Sequence, residues 1–332
     1  MSDFRKIGVI GGGSWATAIV KILSNHLPTV NWWLRNADDI EHLRKFHHNP
    51  KYLTSVEFQP EKISLFHSLE EMVRNSDVLI LAVPSAFCHT LLKTLPPGIF
   101  SGKTVFSAVK GIIPEYNLIV GEYLHQQCEV PYSNIGVITG PCHAEEVAME
   151  KLSYLTLACN QISNAEMLAS AMQCRYIKVS TSDDIYGTEY SAVLKNVVAI
   201  AGGICHGLGY GDNFLAVLVS NAIQEIERFV GAVHPINRDI KASAYLGDLL
   251  VTAYSQFSRN RMFGTMIGKG YSVKMAQLEM NMIAEGYYAV KCVHEINKTL
   301  KVNMPIAEAV YNIVYEKISP AIEIKLLCDK LS

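Results

Sequence analysis

None of the eight cysteines forms a CxxC pair, and no cysteine–histidine set has the spacing of a zinc site. That excludes a zinc-ribbon fold or a CxxC redox centre, and no metal site is expected. Scattered thiols of this kind suit buried positions in a reducing compartment. No uninterrupted apolar run reaches about 18 residues, so no transmembrane helix is expected. The opening stretch, MSDFRKIGVIGGG, lacks the long apolar core and small-residue cleavage site of a signal peptide. A cytoplasmic protein is the expectation. Neither sign of charge dominates: 29 Lys and Arg oppose 31 Asp and Glu, for a net charge of -2 at pH 7. A nucleic-acid surface or an anionic-membrane binder is therefore not expected. Internal repeats and low-complexity linkers are absent as well.

What the sequence does have is enough apolar material for a large core. It is 332 residues long, 49% hydrophobic and 18% charged, which suits about two globular domains. The first half alternates β-rich runs with helical stretches. Strands are expected at 6–10, 29–35, 77–83, 103–109, 134–140 and 153–159, and WATAIVKILSN (15–25) has helical spacing. The alternation implies a doubly wound α/β sheet of Rossmann type. Beyond TSDD (181–184) no convincing strand remains, and the segments read as helices. The expected fold is α/β: a Rossmann-type domain over 1–184, then an all-helical substrate and catalytic domain over 185–332.

GVIGGGSWATA (8–18) places Gly11-x-Gly13-x-x-Ala16 after the first strand and at the start of the first helix. Gly11 allows a tight turn, Gly13 lets a pyrophosphate approach the backbone, and the small Ala16 lets helix and strand pack closely. The helix N-terminus supplies amide donors and a favourable dipole for phosphate. These features point to NAD or NADP. An NAD site commonly has an acidic residue at the end of the second strand, whereas this chain has Leu34-Arg35-Asn36. Arg35 suits a 2′-phosphate, favouring NADPH or tolerance of both cofactors; a solvated arginine at a strand end is the plain alternative.

The strands at 103–109 and 134–140 are followed by Lys110-Gly111 and by Pro141-Cys142-His143-Ala144-Glu145. Ligands in open α/β sheets bind outside such carboxyl ends. A Cys142–His143 catalytic pair is not favoured, because adjacent residues in a turn point apart. In the helical half, Lys195 stands inside the apolar run SAVLKNVVAI (191–200). Either its ammonium snorkels to water, or it is partly desolvated with a pKa lowered towards neutrality, fit to trade a proton. Asp248 and Thr252 are four apart on one helical face, although Asp248 also suits an N-cap. SRNRMFG (258–264) clusters Ser258, Arg259, Asn260 and Arg261, a set suited to phosphate, with only one arginine facing the site. HGLGYGDN (206–213) follows a helix and reads as a connection, while GTMIGKGYS (264–272) lacks P-loop spacing.

Together these blocks resemble the bacterial NAD(P)-dependent glycerol-3-phosphate dehydrogenases over nearly the whole chain. The resemblance rests on GGGSWATA, Trp33-Leu34-Arg35, Asn49 to Leu53, Ser107 to Gly111, TGPCHAEE, VLKNVVAIAGG, GLGYGDN and GDLLVTAYSQFSRNRMFG. It implies reversible hydride transfer between NAD(P)H and dihydroxyacetone phosphate, giving sn-glycerol 3-phosphate for glycerophospholipid synthesis. By that resemblance Lys195 is the acid/base, Lys110 contacts substrate and cofactor, and Asn196, Asp248 and Thr252 support the reacting centre. Arg259 and Asn260 bind the substrate phosphate with Ser258 beside them, and Gly140, Cys142 and Ala144 line the site. Gly11, Gly13, Ser14, Trp15, Arg35, Tyr52, Lys110, Ala144, Arg259 and Glu285 are the implied cofactor contacts. Cys142 replaces the usual Ser or Thr, and Leu215 and Asn221 replace a usual Lys and Arg. Competing readings are a 3-hydroxyacid or 6-phosphogluconate-type dehydrogenase, which the SRNRMFG block disfavours, and a non-catalytic NAD(P) sensor. Oligomeric state is left open, a homodimer included.

Overall fold

The structure is a computed structural model and describes residues 5–280 and 284–332. In chain order the strands are β1 (Ile7–Ile10), β2 (Val30–Trp33), β3 (Ile63–Phe66), β4 (Val78–Leu81), β5 (Thr104–Ser107), β6 (Ile112–Ile113), β7 (Leu118–Ile119), β8 (Ile135–Thr139), β9 (Ser153–Cys159) and β10 (Ile177–Ser182). The chain divides into two compact units: one ends at Val109 and resumes over Val120–Ile185, the other comprises Lys110–Ile119 and Tyr186–Ser332.

The first unit is an eight-stranded sheet in the order β10-β9-β8-β5-β4-β1-β2-β3. All neighbours pair in parallel except β8 with β9. The order reverses direction between β1 and β4, which is the switch point where such sheets bind nucleotides. β1 and β4 read IGVI and VLIL and are buried along their full length. Continuous apolar runs are what a strand covered on both faces requires. The cover comes from α1 (Ser14–Leu23), α2 (Ala37–Phe46), α3 (Leu69–Arg74), α4 (Ser85–Leu92), α5 (Val120–Cys128), α6 (Ala144–Ala148) and α7 (Ile162–Met172). β3 and β10 were not expected from the sequence. Both are edge strands, β3 half-buried throughout and β10 exposed at three of six positions, so neither carries the apolar run that marks the central strands.

The second unit is helical apart from the β6–β7 hairpin. Its helices are α8 (Ile185–Gly207), α9 (Asp212–Val233), α10 (Asp248–Tyr254), α11 (Arg259–Gly268), α12 (Val273–Glu279), α13 (Glu285–Leu300), α14 (Pro305–Val314) and α15 (Pro320–Cys328). α8 is buried on every face from Gly187 to Cys205, so it is the central rod of this unit. Glycines let neighbouring helices touch its backbone. A Cβ on Gly264 of α11 would lie 2.1 Å from the Ile200 carbonyl oxygen, and one on Gly203 of α8 would lie 2.1 Å from that of Arg261. Glu225 of α9 is buried and accepts from the Ile306 and Ala307 N–H groups at 2.8 and 2.9 Å, capping the start of α14.

Two long helices expected from the pattern are each broken. GDLLVTAYSQFSRN stops at Tyr254 because Ser258 starts α11 as its N-cap, accepting from the Arg261 N–H at 3.3 Å. The segment from Val273 divides into α12 and α13, with 281–283 lying outside the described residues. Among the described residues no helix is long and apolar enough to cross a membrane, and no Cys, His, Asp and Glu group suits a metal ion.

Candidate active site

The glycine turn follows β1 as the sequence suggests. Gly11 has φ +139°, and a Cβ there would lie 2.4 Å from the Ala82 carbonyl oxygen, so only glycine fits. Around Gly13 the situation is the opposite: a Cβ would meet nothing within 4 Å. That open space lies at the N-cap of α1, where no side chain caps the helix. Ser14 and Trp15 are the first two helical residues, at the end of the helix whose dipole favours a phosphate. Two buried side chains fix the turn from behind. Trp32 Nε1 donates to the Gly11 carbonyl at 2.7 Å and Asn49 Nδ2 to that of Gly12 at 3.0 Å. Asn49 also accepts from the Lys51 and Tyr52 N–H groups, which ties the Tyr52 segment to the same turn. The sequence alone gives Trp32 no role and Asn49 only that of a family marker; they act across 21 and 37 residues, and no local pattern encodes that.

Arg35 is exposed just beyond β2. Gly140 follows β8 with φ +108°, and a Cβ there would lie 2.8 Å from the Tyr154 carbonyl oxygen. Cys142 is buried and Ala144 begins α6. This unit therefore fits a dinucleotide: a pinned glycine turn, open space at Gly13, an uncapped helix start and a cation past β2.

The second unit holds the titratable cluster. Lys195 is only 4% exposed, and its Nζ is ion-paired to Asp248 Oδ1, so it does not snorkel to water. Lys110 Nζ reaches the other oxygen of the same carboxylate, Oδ2, at 3.4 Å. Asp248 is 1% exposed and begins α10, directly after a π-helical turn at Ser243–Gly247. Its side chain serves the two lysines and caps no helix. Burial pulls the Lys195 pKa down from 10.5 to about 7; Asp248 opposes the fall and Lys110 adds to it. A lysine with a pKa near neutrality can both give and take a proton.

The remaining expected residues take distinct places. Asn196 Nδ2 donates to the Lys110 carbonyl at 2.8 Å and so fixes the backbone that carries Lys110. Thr252 Oγ1 donates to the Asp248 carbonyl at 2.7 Å, within α10. Arg259 and Asn260 open α11, and Ser258 caps it. Arg261 is turned aside, with Nη1 donating to the Tyr254 carbonyl at 3.3 Å. Asn260 Oδ1 accepts from the Gly286 N–H at 2.9 Å, next to Glu285 at the start of α13. Leu215 is buried in the core of this unit, and the Asn221 carboxamide holds the Ser332 backbone at 2.9 and 3.2 Å. Thus an apolar core contact and a backbone clasp stand at these two positions.

Comparison with known proteins agrees with this geometry. The family model described as NAD-dependent glycerol-3-phosphate dehydrogenase N-terminus matches residues 6–165, and that described as the C-terminus matches residues 184–325. A glycerol-3-phosphate dehydrogenase (NAD(P)+) of Exiguobacterium sp. is 35% identical over 97% of this chain and 94% of the relative. One from Agathobacter rectalis is 34% identical over 94% and 92%. The crystal structure of glycerol-3-phosphate dehydrogenase from Coxiella burnetii superposes with a TM-score of 0.89 at 27% identity, covering 98% of each chain.

Proposed function

Because the chain belongs to the NAD-dependent glycerol-3-phosphate dehydrogenase family, we propose that it interconverts dihydroxyacetone phosphate and sn-glycerol 3-phosphate. The observation that carries the chemistry is Lys195: buried, paired to Asp248, and shifted towards a neutral pKa. When bound, a nicotinamide would supply the hydride for reduction at the substrate C2, or accept it in the reverse direction. As C2 is reduced its oxygen gains negative charge, and Lys195 donates the proton that neutralises it. In the reverse direction the same amine takes that proton. Asp248 holds the Lys195 ammonium in place, and Lys110 adds a second cation against the developing charge. Asn196 keeps Lys110 there through its carbonyl.

The substrate phosphate goes to the start of α11. Ser258 caps this helix by accepting from the Arg261 N–H, and the Arg259 guanidinium and Asn260 carboxamide stand in its first turn. Binding energy from this remote group orients the carbonyl for reaction. The glycine turn with Ser14, Trp15, Tyr52 and Arg35 binds the dinucleotide, and the exposed Arg35 supports use of NADPH as well as NADH. Eight free cysteines support a reducing, cytoplasmic setting, where the product feeds glycerophospholipid synthesis. Steady-state oxidation of NADH and NADPH with dihydroxyacetone phosphate tests the reading. Turnover with this substrate is expected; turnover only with a 3-hydroxyacid or 6-phosphogluconate as the alcohol, or cofactor binding without turnover, overturns it.

A further inference from the structure

We propose that Gly286 is a positioning residue: its backbone N–H fixes the Asn260 carboxamide so that the Nδ2 donor, not the oxygen, is presented to the substrate phosphate. The inference rests on the phosphate reading of α11. A backbone N–H can only donate, so the Gly286 N–H, 2.9 Å from the side chain, selects the amide oxygen. The contact is buried, and Asn260 is 7% exposed. With Oδ1 spent, Asn260 has only its NH2 group to offer. A flipped carboxamide would turn lone pairs towards an anionic oxygen, so orientation decides whether Asn260 attracts or repels phosphate.

The position needs glycine for a second reason. A Cβ on Gly286 would lie 2.5 Å from the Asn196 carbonyl oxygen and 2.9 Å from Ile200 Cδ1. α13 therefore rests on the backbone of α8 where Lys195 and Asn196 stand, as α11 does through Gly264 one turn further on. These backbone contacts set Asn260 in the same frame as Lys195. A methyl at Gly286 has backbone in its way, so α13 must move and the N–H withdraws from Asn260.

The test compares dihydroxyacetone phosphate with unphosphorylated dihydroxyacetone, reading the ratio of their kcat/KM values. Truncated substrate removes the phosphate contribution and leaves the chemistry. In Gly286→Ala the ratio is expected to fall by about tenfold to hundredfold, the worth of a hydrogen bond to a charged group. Asn260→Asp keeps the acceptor for Gly286 but replaces the donor with an anionic oxygen. The same ratio is expected to fall at least as far while the melting temperature stays near that of the parent. Arg259→Ala is the control for the reading itself: an unchanged ratio there means that the phosphate does not bind at α11. If Arg259→Ala collapses the ratio while either folded variant, Gly286→Ala or Asn260→Asp, retains it, the proposal is overturned. Should Gly286→Ala fail to fold, Asn260→Asp decides alone.

Discussion

Asp248→Asn removes the one carboxylate that two lysines share while keeping the side chain's size. Lys110 Nζ sits 3.4 Å from that carboxylate. At this separation the Coulomb attraction is about 5 kcal/mol at an effective dielectric of about 20, before desolvation is set against it. The closer and more buried Lys195 loses at least as much. An opposite charge in contact shifts a pKa by about 1–3 units. Lys195, already lowered by burial, should therefore fall further once the Asp248 charge that opposes the fall is gone. At neutral pH the variant's lysine therefore carries a proton less often than the parent's and is a poorer general acid. Loss of a general acid lowers kcat for reduction of dihydroxyacetone phosphate by about 10²–10⁴. The assay is kcat against pH in both directions. The limb that tracks Lys195 should move to lower pH by about 1–3 units, with reduction hurt more at neutral pH than oxidation. A near-normal kcat with an unmoved pH profile refutes the role given to this carboxylate.

Further outcomes follow from other parts of the molecule. Glu225→Ala orphans two N–H groups at the start of α14 and should lower the unfolding free energy by about 2–3 kcal/mol, read by denaturant titration. Burial raises the Glu225 carboxyl from 4.5 to about 7, so the folded state keeps a proton that the unfolded state has released. Stability should therefore decline as pH rises from about 4.5 to 7, and Glu225→Gln should flatten that slope. Gly13→Ala meets no neighbour, so it should fold within about 0.5 kcal/mol of the parent yet lose cofactor affinity in a fluorescence titration. Gly11→Ala should fail on both counts, because its Cβ strikes the Ala82 carbonyl in a left-handed backbone conformation. Arg35→Ala should lower kcat/KM for NADPH more than for NADH; equal losses exclude a 2′-phosphate contact.

The central strands, the glycine turn and the buried lysine were legible because each is a local pattern. VLIL and IGVI announce strands covered on both faces, and Lys195 interrupts an apolar run that proves to be a fully buried helix. The edge strands β3 and β10 were missed because β3 is only half-buried throughout and β10 exposes three of its six residues, which dilutes the signal. The breaks at Ser255–Ser258 and before Glu285 were missed because a helical period continues across them. Lys110 read as a loop residue just past a Rossmann strand, and it opens a ten-residue excursion, Lys110–Ile119, that belongs with the helical unit. Contacts such as Asn196 to Lys110 and Gly286 to Asn260 span 86 and 26 residues, and no spacing rule reaches that far. The resemblance named candidate residues of the site, whereas their hydrogen bonds separate those that carry charge from those that hold others in position.

Lys195→Met tests the central claim most directly. The side chain keeps its length and loses its proton, and the glycine turn proposed to bind the dinucleotide belongs to the other unit. NAD(P)H affinity, read by fluorescence, should match the parent, while kcat with dihydroxyacetone phosphate should drop by about 10²–10⁴. Turnover within a few-fold of the parent, with cofactor bound, would contradict the account.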